Sequence, residues 1–190
     1  MVTLAWKILR ESQRTKVLID DLLQLARGDA DGQTSELELI DAGPLLREVA
    51  DQAAAMAAAK GTHVDLKLGP EPLVVHANDG KLRRLLLILA DNAVKYTPGG
   101  GTVTIYGSST ATEVDISVAD NGSGIAEEDV PRIFERFWRA DKVRSRAAGG
   151  AGLGLSIAKQ IADQHRATLE VSSQAGHNSV FTLHLPKAAG

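Results

Sequence analysis

The stretch from residue 80 to about residue 96 is the strongest constraint this chain places on its own folding. Leu85, Leu86, Leu87, Ile88 and Leu89 are apolar in succession, and no proline interrupts the run. Read as a helix capped by Asp79, it is apolar around most of its circumference, so most of it is buried. Yet Asn92 and Lys95 follow on one face, with Ile88 one turn before Asn92. A buried amide or ammonium is costly without a partner. Conflicts of this kind between local chemistry and burial tend to mark functional sites.

The rest of the chain mixes helix-like and strand-like runs. Residues 1–27 contain neither Gly nor Pro. They place Leu4, Ile8, Glu11, Thr15, Leu18, Leu22 and Leu25 at alternating spacings of four and three, a heptad seam with two polar positions. A helix of that length is about 40 Å long and needs partners for its stripe, as in a bundle. An amphipathic helix lying on the following domain would carry the same stripe. Residues 28–35 form a polar, Gly-containing connector that reads as a domain boundary. Residues 36–40 alternate like a short strand. Asp41 then caps a helix with Pro44 in its first turn, Gly61 after its end, and an apolar face of Leu46, Val49, Ala50, Ala53 and Ala57. Residues 64–68 and 73–76 read as strands, and 102–107 and 113–118 as antiparallel neighbours. Residues 127–137 read as a short helix and 155–165 as a longer one; 169–173 and 180–185 are the closing strands. Between them, residues 139–148 form a basic loop with Arg139, Lys142, Arg144 and Arg146.

Bulk properties narrow the function classes. A length of 190 residues allows one good-sized domain with an appendage, and 44% hydrophobic residues support a real core. A net charge of −3 argues against nucleic acid as the main partner, because binding a phosphate backbone needs a basic surface. The chain has no cysteine, which excludes a disulfide framework and a thiolate metal site. No apolar run approaches the roughly 20 residues that span a bilayer, and the first residues do not read as a signal peptide. The expectation is a cytoplasmic domain, with any anchor of the parent protein in the bacterial inner membrane lying in segments outside this chain.

Two glycine segments carry the chemistry. The alternating run Val114-Asp115-Ile116-Ser117-Val118 delivers the chain to Ala119-Asp120-Asn121-Gly122-Ser123-Gly124-Ile125. That segment reads either as a simple turn or as a purine pocket. In the second reading a carboxylate accepts a hydrogen bond from an exocyclic amine, and glycines let the backbone approach a flat ring. The other segment, Gly149-Gly150-Ala151-Gly152-Leu153-Gly154, opens a helix. Free N–H groups and the helix dipole there favour phosphate; a hinge before a helix is the plainer reading. It is neither a Walker loop nor a dinucleotide fingerprint. Asn92 offers a carbonyl oxygen of the kind Mg²⁺ accepts, and Lys95 can neutralise a phosphate. Taken singly, a helix-end amide and a solvated lysine would look the same.

In order and spacing, four segments resemble the motifs of bacterial sensor histidine kinases. Asp91-Asn92-Ala93-Val94-Lys95-Tyr96-Thr97-Pro98 resembles their N box, and Asp120-Asn121-Gly122-Ser123-Gly124-Ile125 their first glycine box. Phe134-Glu135-Arg136-Phe137 resembles their F box, and Gly150-Ala151-Gly152-Leu153-Gly154-Leu155 their second glycine box. The segment 18–27 is similar to the second helix of their dimerisation and phosphotransfer domain. The resemblance implies an α/β two-layer sandwich of the GHKL ATPase fold, a mixed sheet with helices on one face, preceded by a long N-terminal helix. It divides the chain into part of the phosphotransfer domain (1–27), a linker (28–35) and a catalytic ATP-binding domain (36–190).

The same resemblance assigns roles. Asp120 would bind the adenine amino group, with Gly122 and Gly124 giving access and Tyr96 lining the pocket. Asn92 would hold Mg²⁺ and Lys95 would contact phosphate, making these two the catalytic pair. Gly150, Gly152, Leu153 and Gly154 would wrap the phosphates of ATP. Residues 139–149 would form a lid with Phe134 and Phe137 as its apolar hinge, and Arg146 would reach a phosphate. The implied activity is that of a protein histidine kinase, passing the γ-phosphoryl group to a histidine-bearing helix and then to the receiver domain of a response regulator. The full-length protein would be a homodimer.

Departures from the family pattern sharpen these expectations. Ile88 stands where a second polar residue is frequent, and where related hydrolytic ATPases carry a glutamate base, so poor ATP hydrolysis is expected. Ala151 replaces a frequent threonine, and Asn178-Ser179 a usual Gly-Thr; weaker ordering of the phosphates is expected. None of His63, His76, His165, His177 and His184 is followed by an acidic residue, so the phosphoacceptor is expected outside this chain. Two other functions compete: a catalytically silent nucleotide-binding signalling module, and a serine kinase of the anti-sigma type. The long leading helix disfavours the latter.

Overall fold

In a computed structural model of the chain, residues 36–139 and 151–188 are described. The expected helix over 1–27, the connector 28–35 and the basic loop beyond Arg139 lie outside the described residues.

Strand β1 (Glu38–Asp41) leads into helix α1 (Ala42–Ala58). Asp41 is its cap, as expected: its carboxylate accepts from Gly43 N–H at 2.9 Å and from Leu73 N–H at 3.2 Å. Strands β2 (His63–Leu68) and β3 (Val74–Ala77) follow, then helix α2 (Asp79–Tyr96). The cap of α2 is Asn78 rather than Asp79. Asn78 has the extended backbone that a cap requires, and its side chain accepts from Lys81 N–H at 3.0 Å. Asp79 sits inside the first turn and pairs with Arg83 at 3.3 Å. Strands β4 (Thr102–Ser109) and β5 (Glu113–Asp120) come next, then helix α3 (Gly154–Gln164) and strands β6 (Thr168–Gln174) and β7 (Asn178–Pro186).

The helix expected over 127–137 is reduced to a single 3₁₀ turn, Val130–Arg132. Pro131 lacks an N–H and would clash with the preceding turn of a longer helix. Phe137 then takes a left-handed conformation, φ 63°, and its N–H leaves the local ladder to donate to Gly152 O at 2.9 Å.

The main sheet runs β2-β4-β5-β7-β6, and β1 pairs separately with β3. All main-sheet pairs are antiparallel except β2 with β4. A parallel pair needs a crossover, and β3 with α2 supplies it. Alternation decides the faces. Val103 and Ile105, Val114, Ile116 and Val118, and Phe181, Leu183 and Leu185 are buried beneath the helices. Tyr106, Asp115, Ser117, Thr182 and His184 point to the other face. Helix α2 lies between α1 and α3 on the sheet, and Leu82, Leu85, Leu86 and Leu89 are fully buried. The apolar run at its centre is therefore explained by neighbours on three sides. His165, also buried, links the helix ends. Its Nε2 accepts from Asn78 N–H at 3.1 Å, so the proton sits on Nδ1, which donates to Ile161 O at 2.7 Å.

Candidate functional site

The site forms where the end of β5 meets the last turn of α2. Strand alternation turns Asp120 to the helix-covered face, and it is only 6% exposed. Its carboxylate accepts from Gly122 N–H at 2.9 Å and from the Ser179 hydroxyl. Burial raises its pKa above the usual carboxylate value, and these two donors oppose that shift. Among the described residues no lysine or arginine is ion-paired to it. A carboxylate placed in this way is an acceptor for a neutral donor rather than for a cation.

The loop after Asp120 is fastened to three elements. The Asn121 side chain accepts from Thr102 N–H at 2.7 Å, which ties it to β4. Ser123 N–H donates to Tyr96 O at 3.3 Å, reaching the end of α2. Ile125 N–H donates to Ser173 Oγ at 2.8 Å, and Gly176 N–H to Ser123 O at 2.7 Å, which locks the loop to the β6–β7 hairpin. The two glycines follow from this crowding. A Cβ on Gly122 would lie 2.5 Å from Tyr96 O, and one on Gly124 would lie 2.0 Å from Gln174 O. Gly124 also has φ +63°, where side chains are strained. Its glycine is thus required by backbone packing, whatever it does for a ligand.

Asn92, Lys95 and Tyr96 share the exposed side of α2's last turns, at the i, i+3, i+4 spacing that places side chains together. Asn92 and Lys95 are half-buried. Lys95 Nζ lies 5.1 Å from the centre of the Tyr96 ring, which is 44% exposed. Among the described residues the Asn92 amide has no hydrogen-bond partner. A single uncommitted amide oxygen fits Mg²⁺, which keeps several waters and takes further oxygens from substrate phosphates.

The second glycine segment arrives from the other side. Gly152 has φ +76°, and its carbonyl accepts from Phe137 N–H. Leu153 is buried, and its carbonyl accepts from Ser156 Oγ at 2.8 Å. Gly154 begins α3 directly over α2: a Cβ there would lie 3.3 Å from Ile88 Cγ2. Ile88 is thus in apolar contact with the start of α3. Phe134 and Phe137, expected to work together, part company. Phe134 packs edge-on against Phe181 at 6.5 Å, whereas Phe137 is 60% exposed. Gly150 and Arg146 lie outside the described residues.

One participant stands in a place the sequence did not mark, and another was missed. Ser179, expected to bear on phosphate order, pairs with Asp120 across β5 and β7 and donates to its carboxylate. Lys60, at the end of the alanine-rich helix, donates to the last carbonyls of α2; no local pattern marked it. A separate group, Glu113, Asp115 and His184, lies on the opposite face of the sheet and is close enough to converge on one ion. It reads as a cross-strand hydrogen-bonded pair, His184 Nδ1 to Asp115 Oδ1 at 2.7 Å.

Known proteins are similar to this chain in sequence and fold. The chain is 35% identical over 184 residues to the sensor-like histidine kinase SenX3 of Mycolicibacterium smegmatis, covering 96% of this chain and 47% of that protein. It is 37% identical over 186 residues to the sensor histidine kinase RppB of a Synechocystis strain, covering 97% of this chain and 40% of that one. The chain thus spans less than half the length of these relatives. Among solved structures, full-length ShkA in complex with AMPPNP superposes with a TM-score of 0.84 at 33% identity, over 97% of this chain and 39% of that one. The isolated catalytic domain of the histidine kinase ThkA gives a TM-score of 0.71 at 27% identity, over 80% of this chain and 97% of that domain. Residues 77–189 match the family described as histidine kinase-, DNA gyrase B-, and HSP90-like ATPase. From the mixed sheet, the four motifs and this match, the chain belongs to that ATPase family.

Proposed function

We propose that this chain carries the ATP-binding catalytic domain of a sensor histidine kinase, over residues 36–190, preceded by a linker (28–35) and part of a phosphotransfer helix (1–27). The observation that carries the reading is the buried Asp120 carboxylate, whose following loop is bonded to the α2 turn that presents Asn92, Lys95 and Tyr96. One end of such a site suits a purine amine and the other a chelated triphosphate. Asp120 accepts from the adenine amino group beside Gly122 and Gly124, and Tyr96 lines the pocket. Lys95 neutralises phosphate charge. Gly150, Gly152, Leu153 and Gly154, with Arg146, surround the phosphates. Asn92 holds Mg²⁺, which supplies charge neutralisation on the phosphate oxygens when bound.

Phosphoryl transfer asks a protein mainly for positioning and electrostatic stabilisation. The acceptor is a histidine on a helix outside this chain, of the same or a partner subunit, and the phosphoryl group then passes to a response regulator. Homodimerisation and anchoring of the full-length protein in the inner membrane belong to the same proposal; among the described residues no helix is long and apolar enough to cross a membrane. Ile88, packed on Gly154, offers no base to water, so steady hydrolysis of ATP by the chain alone should be slow. Turnover that Asn92→Ala abolishes would refute that point. The deciding experiment mixes the chain with the histidine-bearing helix of its parent and ATP labelled on the γ-phosphate. Label on the helix supports the kinase; nucleotide binding without label supports a silent signalling module.

A further inference from the structure

The last four carbonyls of any helix lack partners within it. In α2 all four are met, and by different means. Ala93 O accepts from Thr97 N–H at 3.0 Å and from Thr97 Oγ1 at 2.7 Å. Tyr96 O accepts from Ser123 N–H. Val94 O and Lys95 O both accept from one ammonium, Lys60 Nζ, at 2.9 and 2.7 Å. Of these donors Lys60 alone brings a charge, and it comes from the turn that follows α1, 34 and 35 residues away.

The location matters for a nucleotide. A helix C-terminus carries roughly half a negative charge. Here it sits within one turn of Asn92 and Lys95, where a triphosphate would have to approach. Uncompensated, that partial charge opposes the ligand. We propose that Lys60 is a positioning residue of the phosphate end of the nucleotide site: it offsets the negative helix end facing the phosphates and so supports Asn92 and Lys95 in holding them. This rests on the nucleotide reading above.

The backbone around Lys60 is held without its side chain. Gly100 N–H donates to Gly61 O at 2.8 Å, and His63 N–H to Gly101 O at 2.8 Å. The Lys60 carbonyl packs so closely on Gly99 that a Cβ there would lie 2.8 Å away. Removing the ammonium should therefore leave the corner docked and act mainly on the end of α2.

The test compares Mg-ATP with adenosine, which reaches the Asp120 end but carries no phosphate. Binding is measured by NMR titration on the whole chain for wild type, Lys60→Met, Lys60→Gln and Lys60→Arg. Lys60→Met should weaken Mg-ATP about 3- to 30-fold and leave adenosine within about twofold. Lys60→Gln, which keeps a donor without the charge, should fall between. Lys60→Arg should restore Mg-ATP binding to within about threefold of wild type. Unchanged Mg-ATP affinity in Lys60→Met overturns the inference, as do equal losses for both ligands, which would mark a purely structural residue. If Lys60→Met does not fold, Lys60→Gln binding Mg-ATP as tightly as wild type overturns it as well. Loss of Mg-ATP in Asn92→Ala with none in the Lys60 variants removes Lys60 alone. Wild type that binds no Mg-ATP removes the nucleotide reading and this inference together.

Discussion

The two glycine segments look alike in composition but are built differently. Residues 121–125 are bonded to β4, α2 and the β6–β7 hairpin, and Gly122 and Gly124 press on backbone oxygens. Residues 152–154 touch Phe137 and Trp138 and rest on the Ile88 side chain at the start of α3. Glycine at the first site is demanded by rigid neighbours. At Gly154 the neighbour is the end of a side chain, which can give. The proposed purine end is therefore part of the folding core; at the proposed phosphate end Gly152, with φ +76°, also lies close to the backbone of Phe137 and Trp138, and Gly154 alone rests on a softer contact.

The largest effect should come from Gly124→Ala. The added methyl meets Gln174 O at 2.0 Å in a backbone conformation that already strains a side chain. A loss of at least about 3 kcal/mol of stability is expected, a large share of the roughly 5–15 kcal/mol typical of a domain. Urea denaturation measures it. A loss below about 1 kcal/mol would show that the hairpin yields and that Gly124 is held no more tightly than Gly154.

Next in size is Asp120→Ala, read by calorimetric titration with Mg-ATP. One charge-assisted hydrogen bond is worth about 1.5–3 kcal/mol, so affinity should drop roughly 10- to 150-fold. Equal affinities would take Asp120 out of the pocket and leave the first segment a purely structural loop.

These expectations draw on what the sequence made legible and on what it did not. Alternation in residues 113–118 and 180–185 marked β5 and β7, because each strand buries one face only and the period of two survives in the sequence. The apolar run 85–89 marked a buried helix for the opposite reason: with neighbours on three sides most of its circumference is covered, so no alternation remains. The Asp120 segment was visible because a carboxylate and two glycines after a strand are unusual company. Three things were hidden. The run 127–137 has helical periodicity, but Pro131 and the long-range bond from Phe137 N–H to Gly152 O override it. The cap of α2 moved one residue, because Asn78 and Asp79 are equally good caps locally and only backbone geometry chooses. Lys60 was invisible, because its partners are 34 and 35 residues away and a lysine after alanines reads as a solvated charge.

Acid titration gives a subtler view of the purine end, without nucleotide. Burial holds the Asp120 pKa above its usual value near 3.8, so the native state keeps this proton more tightly than the unfolded chain. The contribution of Asp120 to stability is then full below that value and is lost as pH rises through the raised pKa. Asparagine cannot titrate, yet it can still accept from Gly122 N–H. Relative to Asp120→Asn, the wild type should lose stability between acid and neutral pH, while the variant binds nucleotide more weakly. Urea curves for both proteins at several pH values measure the difference. A wild type that gains on the variant as pH rises would mean that the Gly122 and Ser179 donors outweigh burial.

The smallest effect sharpens the contrast most. Gly154→Ala places a methyl 3.3 Å from Ile88 Cγ2 at the first residue of α3. That is tight, but the opposing atom is a methyl on a partly buried side chain, and Gly154 has no positive φ to strain. Alanine also favours a helix over glycine by about 1 kcal/mol in a helix interior, and by less at the first residue. The two contributions nearly cancel, so stability should change by less than about 1 kcal/mol. Nucleotide affinity should fall more than stability does, because the methyl would stand where a phosphate must approach the backbone at the start of the helix. A large loss of stability with unchanged affinity per folded molecule would reverse the assignment, making Gly154 a packed position and taking it out of the proposed phosphate site.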